Sequence, residues 1–333
     1  MANRPVYILG LGSIGSFIAQ SLRSLAVPPP VTLLVHRQSL FKELSANDWK
    51  LGLRVGEAGA LKQSSGFNAE LLGKTNSSTS PIRDLIVAVK ASATVTALEP
   101  FKDRIGRDTT ICLFQNGLGQ IDDLNERLFP DPSTRPTYMC GVIRHGVYLK
   151  SASEAILSGP NGCVDVGFVD GDSTRRDRFL VDTLVRSPIL RCTELRKADL
   201  IKVQLLKLAT NCVLNPLTAL LDVRNGELLE NSALQPLQRQ LLEEISAVFQ
   251  NLPEMKNLDY DRSQFSVTSL ETTLHDTVEK TAHNSSSMRE DVRKGRSTEI
   301  DNINGWIVKR GKELGIDCPV NTCLTQLILA KNR

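Results

Sequence analysis

Residues 6–21 read VYILGLGSIGSFIAQS. A short apolar run leads into the spacing Gly-x-Gly-x-x-Gly, and an apolar pattern with helical period follows. In this strand–turn–helix context the motif is typical of a site for a dinucleotide pyrophosphate, which faces the free N–H groups at the helix N-terminus. The first glycine permits the tight turn, the second lets the backbone approach the phosphates, and the third lets the helix pack on the strand. We therefore predict a cofactor-binding turn made of Gly10, Leu11, Gly12, Ser13, Ile14 and Gly15.

The second predicted strand is VTLLV at residues 31–35. Sites that prefer NAD usually offer an acidic side chain to the ribose after this strand. This chain has no Asp or Glu before Glu43 and offers Arg37 instead. A guanidinium matches a 2′-phosphate in charge and geometry. The sequence therefore predicts NADP(H) over NAD(H), and the alternative is that Arg37 is a solvated loop residue.

Composition narrows the class of protein. The chain has 333 residues and 41% hydrophobic residues, which favours two domains with ample core. Its net charge of +3, without a long basic run, does not indicate a nucleic-acid partner. No apolar run is long enough to span a membrane. The nucleotide fold begins near Val6 and leaves no room for a leader segment, so we expect a cytoplasmic protein. Seven cysteines without a CxxC pair indicate reduced thiols, and four histidines without ligand spacing predict no metal.

The first half of the chain alternates β-rich runs with helical stretches, as a parallel sheet with crossover helices does. Strands predicted at residues 84–89 and 109–114 end in turns that contain Lys90 and Asn116. Ligands of open α/β sheets lie at the carboxyl ends of the strands, so both turns are expected to line the cofactor cleft. The alternative for Asn116 is an ordinary Asn-Gly turn.

Further segments complete the predicted organisation. Residues 64–81 are rich in Ser, Thr, Gly and Asn and predict a surface loop, and residues 137–195 predict further strands. Amphipathic helices are expected at residues 234–251, 266–280 and 300–314. The predicted fold class is α/β, with an N-terminal Rossmann-type dinucleotide-binding domain (residues 1–196) followed by an all-helical C-terminal domain (residues 197–333).

The stretch IKVQLLKLATNCVLNPLTAL at residues 201–220 carries polar residues in an apolar helical pattern. Lys207, Asn211 and Asn215 are four apart and share one helical face. Such groups are costly to bury unless something needs them. A small polar substrate that requires a proton donor would supply that need. A stripe that faces solvent, or amides at a domain interface, is the alternative.

Two later groupings stand out in the helical half. Ser287 and Asp291 are four apart, and Glu299 leads into an apolar helical pattern. Ser and Thr near a helix start often act only as caps, and that alternative stays open for Ser287.

These segments in order give the chain its resemblance to the ketopantoate reductase (2-dehydropantoate 2-reductase) family. The resemblance rests on GLGSIG at residues 10–15, QNGLG at 115–119, KLATNCVLNPLTAL at 207–220, NGEL at 225–228, SSM at 286–288 and TEID at 298–301. It spans nearly the whole chain. The segment at residues 141–147 departs from the pattern, because this family usually has small hydroxyl residues there before His. The substrate side chain therefore stays open.

The resemblance implies a role for each matching residue. Lys207 matches the proton donor, and Glu299 matches an acidic residue that contacts the cofactor and supports the catalytic centre. Substrate-contacting positions correspond to Asn211, Asn215, Asn225 and Ser287. Cofactor-binding positions correspond to Lys90 and Asn116, and we predict that Val147 also binds the cofactor.

The predicted function is NADPH-dependent reduction of ketopantoate to pantoate in the pantothenate and coenzyme A pathway. The hydride comes from NADPH and the proton from Lys207. Burial should lower the pKa of Lys207 and Glu299 should raise it, so the two effects compete. One alternative is a reductase of the same fold that acts on a different 2-keto acid. Another is a non-catalytic NADP(H)-binding sensor. The expected partner is a small 2-keto acid, and a homodimer stays open.

Overall fold

The computed structural model describes residues 4–72, 79–159, 161–169, 177–256 and 261–331. The chain forms two compact units. The first comprises Met1–Gln115 and Gln120–Leu200, and the second comprises Asn116–Gly119 and Ile201–Arg333. The short segment Asn116–Gly119 thus belongs with the second unit although both of its neighbours in sequence belong to the first. The domain boundary after residue 196 stays a prediction.

The first unit contains two β-sheets. The strands of the described chain are β1 Val6–Leu9, β2 Val31–Val35, β3 Leu51–Val55, β4 Lys62–Ser64, β5 Asn68–Leu71, β6 Asp84–Val87, β7 Thr110–Leu113, β8 Thr137–Ile143, β9 Val147–Ser151, β10 Glu154–Leu157, β11 Val164–Phe168 and β12 Cys192–Glu194. The larger sheet has the order β12-β11-β8-β7-β6-β1-β2-β5, and the smaller has the order β4-β3-β10-β9.

The central strands of the large sheet are parallel and buried. β1 pairs in parallel with β2 on one side and with β6 on the other, and β6 pairs in parallel with β7. Every residue of these four strands is buried, as expected for a sheet covered on both faces. Because parallel strands end at the same edge, the turns after β1, β2, β6 and β7 meet there. This arrangement confirms the predicted Rossmann-type fold.

Helices of the first unit connect these strands. They are α1 Ser13–Arg23, α2 Gln38–Ala46, α3 Thr94–Leu98, α4 Gln120–Arg127 and α5 Phe179–Val185. α1 buries eight successive residues, Gly15–Leu22, because β3, β9 and β10 of the small sheet also contact it. A helix covered on several sides can be apolar around most of its circumference.

One segment differs from the expected loop at residues 64–81. Within it, Asn68–Leu71 forms β5, which pairs in parallel with β2 from Thr32 to Val35. Asn68 is exposed and Leu71 is buried, so this edge strand is specified by backbone pairing with β2 more than by apolar periodicity. The remainder of the predicted loop includes residues 73–78, which lie outside the described residues.

The second unit is helical, as predicted, and none of the strands of the described chain lies in it. Its helices are α6 Lys197–Leu221, whose first four residues belong to the first unit, α7 Glu227–Glu230, α8 Gln235–Asn251, α9 Val267–Lys280, α10 Ser287–Arg293, α11 Asn304–Leu314 and α12 Pro319–Lys331. An apolar core that includes Leu241, Phe249, Phe265 and Ile307 holds them together. α11 begins four residues later than expected because Ile300–Asn302 forms a separate 3₁₀ turn.

Within the described ranges, no helix is both long enough and apolar enough to span a membrane.

Candidate active site

The glycine turn after β1 has the geometry that a dinucleotide requires. Gly10 has φ +101°, and a Cβ there would lie 2.6 Å from the backbone nitrogen of Val89. A Cβ on Gly15 would lie 1.8 Å from the carbonyl oxygen of Gly10, so any side chain would separate the helix from the turn. At Gly12, by contrast, no described residue apart from its neighbours in the chain lies within 4 Å of the position of a Cβ. The backbone is therefore open on the side where a pyrophosphate would approach.

The N-terminus of α1 complements this opening. Gly12 occupies the N-cap position, and in the described chain no side chain makes a capping hydrogen bond there. The first turn contains no acidic residue. Its backbone N–H groups and the positive end of the helix dipole therefore remain available to an anion. Leu11 and Ile14 pack in or against the apolar core, so they can serve a phosphate only through their backbone amides. The turn fits a dinucleotide pyrophosphate.

Arg37 and Lys90 occupy two neighbouring turns at the same edge of the sheet. Arg37 is exposed two residues after β2 and stands at the N-cap position of α2. Lys90 is half-buried and precedes the 3₁₀ turn Ala91–Ala93 that follows β6. Both side chains therefore start from turns next to the glycine turn, as the sequence predicted from strand ends. Their roles toward a cofactor stay predictions.

Gln115 is a residue of this edge to which the sequence analysis assigned no role. Its Nε2 donates to the carbonyl oxygen of Val89 at 3.0 Å and to the hydroxyl of Thr94 at 2.5 Å. These bonds tie the end of β7 to the turn after β6. The position of Gln115 just after a buried strand could have indicated a role at this edge. Its partners could not be read from the sequence, because they lie 21 to 26 residues away.

Val147 belongs to the small sheet. It begins β9, where it pairs with Leu157 of β10, and its half-buried side chain packs against the apolar core. It is therefore not part of a turn that follows a strand of the large sheet. Its assignment to cofactor binding stays a prediction.

The polar face of α6 in the second unit runs from half-buried to buried. Lys207 and Asn211 are half-buried, whereas Asn215 is only 4% exposed. A stripe that simply faces bulk solvent would not have this gradient of burial. The face therefore passes from the half-buried Lys207 and Asn211 to the enclosed Asn215 in the interior of the helical unit.

Asn116 and Glu299 are joined directly although 183 residues separate them. Asn116 Nδ2 donates to Glu299 Oε2 at 3.1 Å, and Glu299 is 7% exposed. The turn that carries Asn116 is held close, because the backbone N–H of Leu118 donates to the carbonyl of Asn302 at 2.9 Å. Gly117 permits this approach: its φ is +78°, and a Cβ would lie 2.3 Å from the Asn302 carbonyl oxygen. A buried carboxylate thus has an amide partner.

Ser286, rather than Ser287, caps α10. The Ser286 hydroxyl accepts a hydrogen bond from the backbone N–H of Arg289 at 3.1 Å and lies 2.7 Å from the hydroxyl of Thr218 on α6. Ser287 is exposed and is the first residue of the helix. The cap that was the alternative role for Ser287 is therefore provided by Ser286, and the Ser287 hydroxyl does not cap α10.

Asn225 is held next to the segment that leads into α10. Its backbone N–H donates to the carbonyl of Asn284 at 3.1 Å, and its Nδ2 donates to the hydroxyl of Thr281 at 3.0 Å. That hydroxyl in turn donates to the carbonyl of Thr277 at 2.7 Å, so it must accept from Asn225, which orients the amide. Asn225 Oδ1 is buried and finds no hydrogen-bond partner in the part of the chain that the structure describes.

A Rossmann-type unit with an open phosphate turn, and a helical unit with a lysine, amides and a buried carboxylate, define a NAD(P)H-dependent oxidoreductase of two domains. Two family models match the chain. One, described as Ketopantoate reductase PanE/ApbA, covers residues 6–171, and the other, described as its C terminal part, covers residues 199–332. The chain belongs to the ketopantoate reductase family.

Individual relatives agree with this assignment. The chain is 30% identical to the 2-dehydropantoate 2-reductase of Vibrio cholerae, with 73% of this chain and 76% of the relative covered. It is 27% identical to the 2-dehydropantoate 2-reductase of Saccharomyces cerevisiae, with 98% and 95% covered. It is also 27% identical to the ketoisovalerate reductase BEA2 of Gibberella fujikuroi, with 98% and 83% covered.

A solved structure supports the fold. The ternary structure of D-mandelate dehydrogenase with NADH and anilino(oxo)acetate has a TM-score of 0.79 to this chain. The two share 21% identity over 98% of both chains, which shows a common fold.

Proposed function

We propose that this protein reduces 2-dehydropantoate (ketopantoate) to pantoate with NADPH. Membership of the ketopantoate reductase family and the relatives named 2-dehydropantoate 2-reductase support the reaction type. The observation that carries the choice of substrate is the buried acceptor Asn225 Oδ1, which lacks a donor among the described residues. Ketopantoate carries a terminal hydroxyl group that can supply this donor.

The proposed chemistry needs a hydride at the carbonyl carbon, a stabilised carbonyl oxygen and a proton for that oxygen. The nicotinamide, when bound, supplies the hydride. Lys207, as an ammonium group, stabilises the developing charge and then donates its proton to the oxygen. Asn211 and Asn215 orient the substrate by hydrogen bonds from the same helical face. Ser287 binds the substrate carboxylate through a neutral hydroxyl.

Glu299 has two roles in the proposal. Its carboxylate, held by Asn116, contributes a negative charge that favours the ammonium form of Lys207. The resemblance to the family also assigns Glu299 a contact with the cofactor. The proposed preference for NADPH rests on Arg37, because its guanidinium matches a 2′-phosphate in charge and geometry and its side chain is exposed.

A second candidate is reduction of a 2-keto acid with a purely alkyl side chain, such as 2-ketoisovalerate. The similarity to a ketoisovalerate reductase, equal in identity to that with the yeast 2-dehydropantoate 2-reductase, favours keeping it. Such a substrate has no hydroxyl to donate to Asn225 Oδ1. The cost of leaving a buried acceptor unpaired, about 1–3 kcal/mol, therefore favours ketopantoate.

The test follows the absorbance of reduced nicotinamide with purified protein, NADPH or NADH, and a panel of 2-keto acids. The proposal expects rapid oxidation of NADPH with ketopantoate, and slower reaction with NADH and with 2-ketoisovalerate. Faster turnover of another keto acid would assign a different substrate and leave the proposed mechanism unchanged. Binding of NADPH without oxidation by any member of the panel would favour the non-catalytic sensor.

Location and assembly complete the proposal. A cytoplasmic location is supported by the cysteines, because no disulfide bond joins any two of the seven, as is usual in a reducing compartment. Fractionation of the native cells checks it. A homodimer is the proposed assembly, and light scattering of the purified protein distinguishes it from a monomer.

A further inference from the structure

Pro216 lies inside α6, directly after the buried amide of Asn215. Proline has no backbone N–H, so it cannot donate to the carbonyl of the residue four positions earlier. That residue is Cys212, which is completely buried. A buried carbonyl without a donor is costly, and this carbonyl lies between Asn211 and Asn215 on the helix that carries the proposed proton donor.

Asn304 supplies the missing donor from another helix. Its Nδ2 donates to the carbonyl oxygen of Cys212 at 2.8 Å, and the same amide group donates to Asn321 Oδ1 at 3.0 Å. Because both partners are acceptors, the orientation of the Asn304 amide is determined. Asn304 and Asn321 are both completely buried.

Glu244 fixes the far end of this network. Its carboxylate accepts from Asn321 Nδ2 at 2.7 Å and from the backbone N–H groups of Val320 and Asn321 at 2.8 and 3.0 Å. These N–H groups belong to the first turn of α12, where a carboxylate is favoured by unpaired donors and by the helix dipole. Asn321 is thus held so that its oxygen points at Asn304.

The network also reaches Glu299. Asn304 begins α11, and the residue before it, Ile303, donates its backbone N–H to the carbonyl of Glu299 at 3.1 Å. One buried amide therefore connects the segment that carries Glu299 to the turn of α6 between Asn211 and Asn215.

For the stability of the fold alone, this arrangement is less favourable than a simpler one would be. Asn304 Oδ1 is buried, and no described residue offers it a hydrogen bond. An ordinary residue at position 216 would satisfy the Cys212 carbonyl within the helix, and an apolar residue at position 304 would avoid an unpaired oxygen. The chain instead keeps a proline and a buried asparagine that compensate for each other.

We propose that Asn304 is a positioning residue whose amide replaces the N–H that Pro216 lacks, and that it thereby sets Asn211 and Asn215 relative to Glu299. The inference rests on the proposed function, because that function assigns the substrate to this helical face. It adds a residue that touches neither substrate nor cofactor but controls the geometry of those that do.

The first experiment compares Asn304→Leu with the wild type. We expect kcat for the keto acid to fall about tenfold or more, because small displacements of positioning groups are expensive in catalysis. The dissociation constant of NADPH should rise by a smaller factor than kcat falls, since the glycine turn lies in the other unit and only the cofactor contacts of the segment around Glu299 are affected. Ser246→Ala is the matched control. It removes another buried side chain that donates to a backbone carbonyl, that of Phe265 at 2.7 Å, and should lower the melting temperature while leaving kcat unchanged.

A double-mutant cycle isolates the carbonyl. Pro216→Ala restores an N–H four residues after Cys212, so the Asn304→Leu loss in kcat should be at least about threefold smaller in that background. An equal loss in both backgrounds would overturn the inference, as would wild-type kcat in a folded Asn304→Leu variant. If Asn304→Leu alone does not fold, recovery of folding in the double variant supports the compensation, and failure to recover contradicts it.

Hydrogen exchange separates this inference from the proposed function. In the ligand-free protein, backbone amides of residues 208–215 should exchange about tenfold faster in Asn304→Leu, but not when Pro216→Ala is also present. Unchanged exchange would overturn the inference whatever the substrate. Inactivity of the wild type with every keto acid would refute the proposed function and leave the exchange result to decide the role of Asn304 in shaping α6.

Discussion

Asn225→Ala should weaken the reaction with ketopantoate and spare the reaction with 2-ketoisovalerate. Asn225 is 5% exposed, its Nδ2 is committed to Thr281, and its Oδ1 is the unpaired acceptor among the described residues of this part of the chain. The substitution therefore removes an acceptor for the terminal hydroxyl of ketopantoate. The other substrate has no such hydroxyl and makes no such bond.

The size of the effect follows from the burial of this acceptor. Leaving a buried hydroxyl without a partner costs about 1–3 kcal/mol. At about 1.4 kcal/mol for each factor of ten, kcat/KM for ketopantoate should fall roughly 5- to 150-fold. A water molecule that enters the space left by the side chain would bring the loss toward the lower end. For 2-ketoisovalerate the change should stay within about threefold.

The assay measures kcat/KM for both keto acids at saturating NADPH with the wild type and two variants. Thr281→Val is the matched control, because it removes the partner of Nδ2 and retains Oδ1. It should lower the ketopantoate value less than Asn225→Ala does. An equal loss for both substrates in Asn225→Ala, or no loss for ketopantoate, would refute the assignment of Asn225 Oδ1 to the hydroxyl.

Three further results are expected. Lys207→Ala should lower kcat by about two orders of magnitude or more while circular dichroism stays unchanged, and near-normal turnover would exclude it as the proton donor. Arg37→Asp should reverse the preference for NADPH over NADH in kcat/KM; an unchanged preference would mean that Arg37 is only a solvated loop residue. Burial lowers the pKa of His145, so the unfolded chain binds more protons below its ordinary pKa, and the melting temperature should fall as the pH is lowered from 7 to 5. His145→Gln should reduce that fall, and an identical pH profile would show that His145 does not contribute.

The sequence predicted the first unit well where its structure is local. The turn at Gly10, the close helix at Gly15 and the strand at residues 31–35 each depend on neighbours within a few residues. The edge strand Asn68–Leu71 was missed because its pairing with β2 is made by backbone groups, which leave little trace in a polar sequence. The late start of α11 was missed because a 3₁₀ turn and an α-helix share the same apolar pattern.

The candidate site likewise has features that the sequence predicted and features that it could not predict. The spacing of Lys207, Asn211 and Asn215 places them on one face of a helix, whatever that helix packs against. Ser286 and Ser287 could not be told apart as caps, because either hydroxyl suits the position and the decision came from Thr218, 68 residues away. Tertiary structure therefore decided which hydroxyl caps α10.

The sequence by itself determined the glycine turn, the alternation of strands and helices in the first half of the chain and the polar face of α6, because covalent geometry and periodicity act over short distances. Only the tertiary structure decided that Asn116 contacts Glu299 and that Asn304 satisfies the carbonyl which Pro216 leaves without a donor. Those contacts join residues 183 and 92 positions apart. Their partners are chosen by the packing of the apolar core, which brings distant polar groups together and lets most buried donors and acceptors form hydrogen bonds with one another.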